Sequence, residues 1–575
     1  MKTKLIGALV VVFMFIMFGL SPVSASSPLR IFVNGQEAVI PTAPIIVDDR
    51  TLVPASLFAV PVFGVEVNWD RTAKQVRITN QAMQLILKID STNVLVNGQE
   101  NSMEVAPRLV KGIPMVPLRF LCDTLGVQIK LAEDGKRIEL IKAAQSVTLQ
   151  IDQTIANVNQ REVKLDVSPQ LVEGRTLVPL RFVAEAFGAE VFWNGQTQGI
   201  TVQRGQQMVT LQIGNLQARV NGREVCLDVP PQLVKDRTLI PVRFVAEALG
   251  AEVDWEATSR RVVITQPGNL KHVLAYYYGG SYQEFLANAD KLNQVAFRWF
   301  ETNGQGEILT KYPDSYESVL KFVQDKKIAA AASIFLSDPE QLHILLNSPE
   351  NRRRLIDNAL KLVDKDGYQG INLDLEMVKA EDRDGLNLLV KEFRDQLKPR
   401  NLELSLALPP KNADTKWFAA YDYTILGGLA DRVVIMAHDL HWKGGPAGPI
   451  APLAWVESVL QFAKTQIPSD KILLALGVYG YDWPERGTAR SYTPAQLAEL
   501  MCIYNVSPEW DSAAQSPYFT YRDSQEVNHT VWFEDDRSLR QKMNLPEQYG
   551  IAGISLWKLG NGFPEMWQAI ERRIK

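Results

Sequence analysis

The sequence is poor in cysteine and histidine, and its charges nearly cancel. Three cysteines, Cys122, Cys226 and Cys502, occur in 575 residues. They are far apart and odd in number, so they predict buried free thiols rather than a disulfide framework. No histidine precedes His272. The net charge of −4 argues against nucleic acid as a partner. The chain is too long for one hydrophobic core, so we expect several domains.

Long apolar runs are absent after the N-terminus. Lys2 and Lys4 precede an apolar stretch from Leu5 to Leu20, and the "VSA" that ends at Ala25 suits signal peptidase. This pattern predicts a secretory signal peptide over residues 1–25 and therefore a secreted protein. The alternative is an uncleaved membrane anchor, although the run is shorter than the roughly 20 residues that a spanning helix needs. No membrane span is expected after cleavage.

Residues 28–266 contain four copies of one motif. "RTLVPLRFVAEAFGAEVFW" at Arg175 returns as "RTLIPVRFVAEALGAEVDW" at Arg237, and weaker copies begin at Arg50 and Gly112. The glycine that follows each helical stretch recurs every 62 residues, at Gly64, Gly126, Gly188 and Gly250. A fixed long period predicts a tandem array of one supersecondary unit. We place repeats 1 and 2 in residues 28–145 and repeats 3 and 4 in residues 146–266.

Each unit predicts a strand, a hairpin turn, a short helix and two more strands. Asn-Gly pairs such as Asn221-Gly222 indicate tight hairpins, and Gly188 stands where a helix C-terminal glycine belongs. The motif resembles the copper amine oxidase N-terminal-like domain, a stalk module of secreted bacterial proteins. Copper does not follow from this resemblance, because the repeats contain no histidine. The repeats are either a spacer or a module that binds the cell wall or spore surface.

The chain beyond "TQPGNLKH" alternates apolar strands with amphipathic helices. Eight strand candidates begin at His272, Gln294, Lys327, Gly370, Leu402, Arg432, Ile472 and Gly550. Helical stretches such as "SYESVLKFVQDK" separate most of them. This alternation predicts an α/β fold, a (β/α)8 TIM barrel over residues 271–575, with a doubly wound open sheet as the alternative.

Polar and aromatic residues recur at the predicted carboxyl ends of these strands, where barrel enzymes keep their chemistry. They are Tyr277, Trp299, Glu376, Asp439, Tyr479, Tyr481 and Trp557. Aromatic residues usually pack in cores, but their shared position favours a cleft.

The stretch "GINLDLEM" places two acids and an amide on one face of a strand. Side chains alternate along a strand, so Asn372, Asp374 and Glu376 point into the barrel and the leucines point outward. Two neighbouring buried acids tend not to ionise together, and one pKa rises. This spacing predicts that Glu376 is a general acid and that Asp374 modulates it. A buried polar network without catalysis would show the same pattern.

"YQGINLDLEMV" resembles the catalytic strand of family 18 glycoside hydrolases, with the pattern D-x-x-D-x-D-x-E. It is most similar to the bacterial branch of spore-germination and cortex-lytic N-acetylglucosaminidases. "IMAHDLHW", "LLALGVYGYDW" and "YGIAGISLWKLG" agree with that branch, in order along the chain.

The resemblance implies a retaining mechanism assisted by the substrate. Glu376 would protonate the glycosidic oxygen, and Asp374 would orient the 2-acetamido group that attacks the anomeric carbon. Asp439 would hold the acetamido group, and Trp557 would stack under the sugar. The predicted catalytic residues are Glu376 and Asp374. The predicted substrate-binding residues are Asn372, His438, Asp439, Tyr277, Trp299, Tyr479, Tyr481 and Trp557. No cofactor is expected.

The sequence departs from the family pattern at three positions. Gln369 and Asn372 replace the first two aspartates, and His438 replaces a tyrosine that donates to the acetamido carbonyl. Turnover could therefore be weak or depend on pH. His438, Asp439 and His441 do not suggest a metal site, because His438 and Asp439 would face opposite sides of a strand.

Two functions remain open at this stage, and a structural role for the whole chain in the spore or wall coat is a third alternative. One is an exported glycosidase that acts on a β-1,4-linked N-acetylglucosamine polymer, either peptidoglycan of the wall or spore cortex, or chitin. The other is a non-catalytic sugar-binding protein of the cell wall or spore surface, with His438 marking lost chemistry. Retention of both Asp374 and Glu376 favours the enzyme.

Overall fold

The structure is a computed structural model. It describes residues 29–574 apart from 34–35, 60–64, 81–82, 126, 132–136, 143–145, 160, 205–206, 258 and 314. The predicted signal peptide lies outside the described residues, as do Gly64 and Gly126. Among the helices that are described, none has the length and apolar character needed to cross a membrane.

Repeats 1 and 2 are built almost entirely from short strands. The described strands are β1 (Arg30–Val33), β2 (Gln36–Glu37), β3 (Ile45–Val47), β4 (Arg50–Pro54), β5 (Glu66–Asp70), β6 (Gln75–Asn80), β7 (Met83–Lys88), β8 (Asn93–Val96), β9 (Gln99–Ser102), β10 (Arg108–Val110), β11 (Ile113–Pro117), β12 (Val127–Leu131) and β13 (Arg137–Lys142). A 3₁₀ helix spans Ala55–Ala59 in repeat 1, and α1 (Leu118–Leu125) takes its place in repeat 2.

Repeats 3 and 4 have the same order of elements. Their strands are β14 (Ser146–Gln150), β15 (Ile155–Val158), β16 (Arg161–Lys164), β17 (Gln170–Val172), β18 (Arg175–Pro179), β19 (Glu190–Asn194), β20 (Gly199–Arg204), β21 (Gln207–Gln212), β22 (Gln217–Val220), β23 (Arg223–Cys226), β24 (Gln232–Val234), β25 (Arg237–Pro241), β26 (Glu252–Glu256) and β27 (Arg261–Thr265). Their helices are α2 (Leu180–Ala186) and α3 (Val242–Ala248).

The repeats interlock in pairs. In the second pair, the sheets run β16-β15-β14-β27-β26, β17-β18-β25-β24 and β19-β20-β21-β22-β23, so each sheet takes strands from both repeats. The first pair does the same with β12-β13-β1-β2, β10-β11-β4-β3 and β5-β6-β7-β8-β9. Each pair also encloses its own apolar cluster. The smallest unit with complete sheets is therefore two repeats.

The recurring asparagines have a local role that the spacing alone did not reveal. Asn221 has a φ of 51° and Gly222 a φ of 83°, which is the backbone of a tight hairpin turn. Oδ1 of Asn221 also accepts a hydrogen bond from the N–H of Met208, 13 residues earlier. Asn97 repeats this bond to Gln84. The asparagine thus turns one strand and ties it to its neighbour.

The C-terminal half contains fourteen described strands. They are β28 (Val273–Tyr277), β29 (Gln294–Thr302), β30 (Ile308–Thr310), β31 (Ala329–Leu336), β32 (Gly370–Leu375), β33 (Glu403–Leu408), β34 (Arg432–Ile435), β35 (Ile472–Gly477), β36 (Gly480–Pro484), β37 (Arg490–Tyr492), β38 (Glu509–Asp511), β39 (Ser516–Arg522), β40 (Asn528–Phe533) and β41 (Gly553–Trp557).

Its described α-helices follow the strands. They are α4 (Tyr282–Asn288), α5 (Tyr316–Lys326), α6 (Pro339–Asn347), α7 (Pro349–Asp366), α8 (Arg383–Leu397), α9 (Tyr423–Leu429), α10 (Leu453–Gln466), α11 (Pro494–Tyr504), α12 (Asp536–Met543), α13 (Leu545–Tyr549) and α14 (Pro564–Glu571). Their ends carry the expected signals: Asp338 accepts from two N–H groups at the start of α6, and Gly367 ends α7 with a φ of 74°.

Eight of these strands close into a parallel barrel. β28, β29, β31, β32, β33, β34, β35 and β41 pair in that order, and β41 pairs back to β28. Each lies in one of the eight segments that the sequence predicted, so the TIM barrel prediction is confirmed. A large apolar cluster lies between barrel and helices. The barrel interior holds a smaller one, formed by Leu274, Tyr276, Ala296, Val434, Leu473, Ala475 and Ala552.

Two sequence expectations need correction. "ILLALGVYGYDW" is two strands, because β35 ends at Gly477 and β36 joins a separate antiparallel sheet in the order β37-β36-β40-β39-β38. Cys122 is buried, but Cys226 and Cys502 are exposed free thiols. Cys226 lies on a strand whose four residues are all exposed.

Candidate active site

Strand β32 sets the direction of the candidate catalytic residues. Ile371, Leu373 and Leu375 join the cluster under the helices, so alternation turns Asn372 and Asp374 into the barrel. The strand ends at Leu375, and Glu376 follows with its N–H bonded to the carbonyl of Leu336. Met377 has a φ of 64°, so the chain turns sharply directly after Glu376. The acid therefore lies at the carboxyl end of the strand.

Asn372 is fully buried and fully bonded. Its Oδ1 accepts from the hydroxyls of Ser333, at 2.9 Å, and Tyr276, at 3.3 Å. Its Nδ2 donates to Oγ of Ser405 over 3.0 Å. These bonds join four barrel strands below the two acids and satisfy a polar group that would otherwise destabilise the interior.

Asp374 is a buried carboxyl without strong partners. Its Oδ1 has no hydrogen-bond partner, and its Oδ2 lies 3.9 Å from Nε of Arg298. Burial, reinforced by the neighbouring Glu376 carboxyl, raises the pKa of Asp374 to about 8, and Arg298 opposes this rise. Asp374 therefore keeps its proton at neutral pH.

Glu376 is less buried than Asp374, and its pKa is also raised. Desolvation is the main cause, while the charges of His438 and Arg298 lower the pKa and that of Asp439 raises it. The predicted coupling of the two acids is present, but burial contributes more than mutual repulsion. The pair can hold a proton near neutrality at the mouth of the barrel, which is the requirement for a general acid.

A second polar group lies beside the pair. The hydroxyl of Tyr479 donates to Oδ1 of Asp439 over 2.6 Å and lies 3.1 Å from Nδ1 of His438. The hydrogen bond and the charge of His438, followed by the hydrogen bonds of Tyr479 and Tyr481, lower the pKa of Asp439, although its burial alone would raise the pKa. The expectation that His438 and Asp439 face opposite sides is wrong, because β34 ends at Ile435 and Asp439 has a φ of 63°.

Aromatic rings surround these polar groups. Trp557 packs against the interior cluster, with its ring centroid 5.5 Å from that of Tyr276 and 6.4 Å from that of Tyr278. Tyr481 lies edge-on to Tyr479 at 5.3 Å. Trp557 is only partly buried, so part of its indole surface is open to a ligand.

The structure does not bring Tyr277 and Trp299 to this site. Both lie in the cluster between barrel and helices, and their ring centroids are 5.4 Å apart. Alternation along β28 points Tyr276 inward and Tyr277 outward. On β29 Trp299 shares the outer face with Val295 and Phe297, as alternation requires. Both Tyr277 and Trp299 lie on barrel strands, but their side chains point away from the barrel interior.

Sequence reasoning missed three residues that shape the site. Tyr276 was hidden in the run "YYY", where only the register of β28 distinguishes it. Arg298 lies in the apolar run "QVAFRWFE". A single cation inside an apolar strand was the feature of the sequence that could have indicated its role. Its guanidinium stacks 3.6 Å over the ring of Phe335. Tyr421 donates to the carbonyl of Leu375 over 2.8 Å and so holds the end of β32. No strand pattern in the sequence indicated that Tyr421 contacts the site.

Within the part of the chain that the structure describes, His438 does not belong to the group whose possible metal-ligand atoms approach one another. The third residue considered there, His441, has its Nδ1 2.8 Å from the carbonyl of Pro449. Among the described residues, His343, Glu381 and Asp382 bring possible ligand atoms within 4.8 Å of one another. Nδ1 of His343 already lies 2.8 Å from Oδ1 of Asp382, so a hydrogen bond accounts for that approach.

A closed parallel barrel with proton-holding carboxyls at its strand ends defines a (β/α)8-barrel enzyme class. Residues 273–562, half of the chain, match the family described as glycosyl hydrolases family 18. The chain belongs to glycosyl hydrolase family 18. Residues 32–140, 114–200 and 157–264 match the copper amine oxidase N-terminal domain. Both resemblances drawn from the sequence are thereby confirmed.

Individual relatives are similar to the barrel. The cortical fragment-lytic enzyme of Bacillus subtilis is 37% identical over 232 residues, which are 39% of this chain and 54% of that protein. The crystal structure of the Bacillus cereus spore cortex-lytic enzyme SleL is 29% identical, with a TM-score of 0.50, over 55% of this chain and 78% of that one. A chitinase from Chromobacterium violaceum is 27% identical, with the same TM-score, over 53% and 98%. The chain spans about half the length of the first curated relatives that it matches.

Proposed function

We propose that this protein is an exported glycosidase that hydrolyses a polymer of β-1,4-linked N-acetylglucosamine by a substrate-assisted, retaining mechanism. The observation that carries the proposal is the position of Asp374 and Glu376 at the carboxyl end of β32, at the open end of a family 18 barrel, and the raised pKa of both carboxyls supports it. A proton kept at pH 7 beside a cleft is what cleavage of a glycosidic bond requires.

In this mechanism Glu376 is the general acid. It is the more exposed member of the pair, and it stands where the chain turns out of the barrel. It gives its proton to the glycosidic oxygen as the bond to the anomeric carbon breaks. It then takes a proton from the water that completes hydrolysis.

Asp374 is a poor candidate for the nucleophile. Only 4% of its surface is exposed, so the anomeric carbon cannot approach it closely. The oxygen of the substrate's own 2-acetamido group attacks instead, and Asp374 orients that group from below. This assignment follows the substrate-assisted scheme that family 18 uses in place of two exposed carboxyls.

The cluster of Tyr479, Asp439 and His438 holds the acetamido group on its other side. The hydroxyl of Tyr479, fixed by Asp439, faces the same mouth as Glu376. His438 stands in place of the family's tyrosine and supplies an N–H donor. The partly open indole of Trp557 stacks against the apolar face of the sugar.

Peptidoglycan of the wall or spore cortex is the preferred substrate, and chitin is the second candidate. The support is the names of the relatives: cortical fragment-lytic and spore cortex-lytic enzymes match the barrel at 37% and 29% identity, and a chitinase at 27%. We also propose that a signal peptide directs export, and that the repeats keep the barrel near an insoluble polymer. Such tethering raises the local concentration of substrate.

The test is incubation of the purified protein with peptidoglycan, spore cortex and chitin oligomers. Glu376→Gln keeps the size of the side chain and removes the acid. Glu317→Gln on α5 makes the same change far from the cleft and serves as the matched control. Product release by the parent and the control, but not by Glu376→Gln, supports hydrolysis. Binding by all three without cleavage by any would replace the proposal with a sugar-binding protein.

A further inference from the structure

The outer face of strand β26 in repeat 4 differs from its counterparts. Its outward positions are Glu252, Asp254 and Glu256. The equivalent positions on β19 in repeat 3 are Glu190, Phe192 and Asn194, and all three are exposed. Three acids on alternate residues form one continuous negative edge. We call these three residues the acidic strand face.

Three arginines of the barrel domain meet the acidic strand face. Both terminal nitrogens of Arg573 donate to Glu252, over 2.6 and 2.7 Å. Arg540 of α12 donates to Asp254 over 2.5 Å, and Arg537 donates to Glu256 over 3.4 Å. Arg540 also lies 3.6 Å from Glu252, so the acids and arginines form one connected group across the junction of repeat and barrel.

Burial distinguishes this junction from an ordinary surface ion pair. The side chains of Arg573 and Glu252 are 0% and 2% exposed, and those of Arg540 and Asp254 are 11% and 13% exposed. Exposed pairs contribute little, whereas a buried charge that loses its partner is strongly destabilising. Separation of repeat 4 from the barrel would leave several charges without their partners at once. Repeat 4 is therefore held against the barrel domain.

Helix α12 connects this junction with the active site. Lys542 on α12 donates to both carboxylate oxygens of Glu534, over 2.8 and 2.7 Å, and both side chains are 2% exposed. The N–H of Glu534 donates to the carbonyl of Tyr479 over 3.1 Å. Tyr479 in turn bonds to Asp439. Repeat 4 and the acetamido-binding cluster thus contact opposite ends of one bonded chain of residues.

We propose that repeat 4 is a working part of the catalytic unit: its acidic strand face fixes α12, and α12 fixes Tyr479 through Lys542 and Glu534. Lys542 and Glu534 are positioning residues in this arrangement. The proposal rests on the proposed function for its catalytic consequence. The proposal assigns this role to repeat 4 alone, because the corresponding strands of the other repeats do not carry three acids.

The test changes only the repeat and leaves the barrel sequence intact. Glu252→Gln and Asp254→Asn in the full chain remove the charges that α12 and Arg573 need. Glu190→Gln makes the same change at the equivalent, exposed position of repeat 3. Glu252→Asp keeps the negative charge and tests whether a carboxylate at this position is enough to restore activity. The measurements are kcat and KM on chitin oligomers, thermal unfolding, and amide hydrogen exchange of residues 534–543.

Glu252→Gln and Asp254→Asn are expected to lower kcat about tenfold with little change in KM, since a misplaced catalytic group slows chemistry more than binding. Exchange at α12 and at the Glu534 amide should rise in the same variants. Glu190→Gln should behave as the parent, and Glu252→Asp should recover most of kcat.

Two results would overturn the inference. One is full kcat in variants whose α12 exchanges faster, which would mean that docking does not support the site. The other is unchanged exchange in both variants, which would mean that the acids do not hold α12. Absence of cleavage by the parent would instead count against the proposed function, and the exchange result would still decide whether repeat 4 holds α12 and Glu534.

Discussion

The hydroxyl of Tyr479 donates a 2.6 Å hydrogen bond to Oδ1 of Asp439, and Nδ1 of His438 lies 3.1 Å from that hydroxyl oxygen. Asp439 is a half-buried carboxylate that stays ionised because these neighbours lower its pKa. The ring of Tyr479 is enclosed by Tyr481 and His438. The hydroxyl therefore has a fixed direction, which suits a group that holds part of a substrate.

Tyr479→Phe should lower kcat/KM by about a hundredfold, because the hydroxyl that orients Asp439 beside the substrate is lost. The pKa of Asp439 should rise, because a bond that stabilises its charged form is lost. Kinetics on chitin oligomers and unfolding by urea provide the measurement. Tyr518→Phe, which removes a surface hydroxyl bonded to Glu509, is the control. Equal activity in both variants would contradict the role given to Tyr479.

Tyr276→Phe and Tyr277→Phe form a matched pair on adjacent residues of β28. Tyr276 points into the barrel and donates to Asn372, so its loss should lower kcat/KM about tenfold, the worth of one interior hydrogen bond. Tyr277 packs on the outer side with Phe285 and Trp299, and its loss should leave activity unchanged. The opposite ranking of the two variants would show that the register of β28 is misassigned.

Asp374→Asn should abolish turnover and yet stabilise the fold at neutral pH. Below pH ~4 the Asp374 carboxyl is neutral in the folded and unfolded chain, so parent and variant should unfold alike. As the pH rises towards about 8, the unfolded chain loses this proton while the folded chain keeps it. The parent therefore loses stability relative to the variant, by roughly 2–4 kcal/mol at pH 7.

Urea unfolding of parent and Asp374→Asn at pH 4 and pH 7 measures this difference. Asp325→Asn, an exposed change on α5, should show no dependence on pH relative to the parent. A parent that is as stable as Asp374→Asn at both pH values would mean that the Asp374 carboxyl is well solvated or well paired.

His438→Asn should move the alkaline limb of the kcat/KM profile to higher pH. In the proposed mechanism Glu376 works in its protonated form, so activity is lost as the pH rises through the pKa of Glu376. The positive charge of His438 lowers that pKa, and its removal should raise the pKa and extend activity upward. His441→Asn removes a histidine of the same loop whose ring is bonded to Pro449. An unshifted limb in His438→Asn, or an equal shift in both variants, would count against this assignment.

The barrel was predictable because its strands and helices obey local rules. Each barrel strand is an apolar run between amphipathic helices, and "GINLDLEM" shows alternation at both faces. Those features depend on neighbours in sequence, so they can be read without coordinates. The separate sheet that begins at Gly480 was not predicted, because the sequence stays apolar past Gly477, where β35 ends, as far as Tyr481.

The site was predictable where side chains follow from strand alternation, as for Asn372 and Asp374. It was not predictable where a shift of one residue in register decides which side chain points inward, as for Tyr276 and Tyr277. It was also not predictable where a left-handed backbone conformation changes the direction of a loop, as at Asp439. Arg298 and Tyr421 reach the acids from other elements, which only tertiary structure brings together. The docking of repeat 4 also lay beyond sequence reasoning, although its three acids were visible.

The shared sheets of the repeats set a rule for how such a stalk can grow or shrink. Deletion of residues 207–265, one repeat, would leave β14 and β20 without the partners that complete their sheets, and the remaining half would expose its apolar side. Folded length variants of this stalk should therefore differ by an even number of repeats.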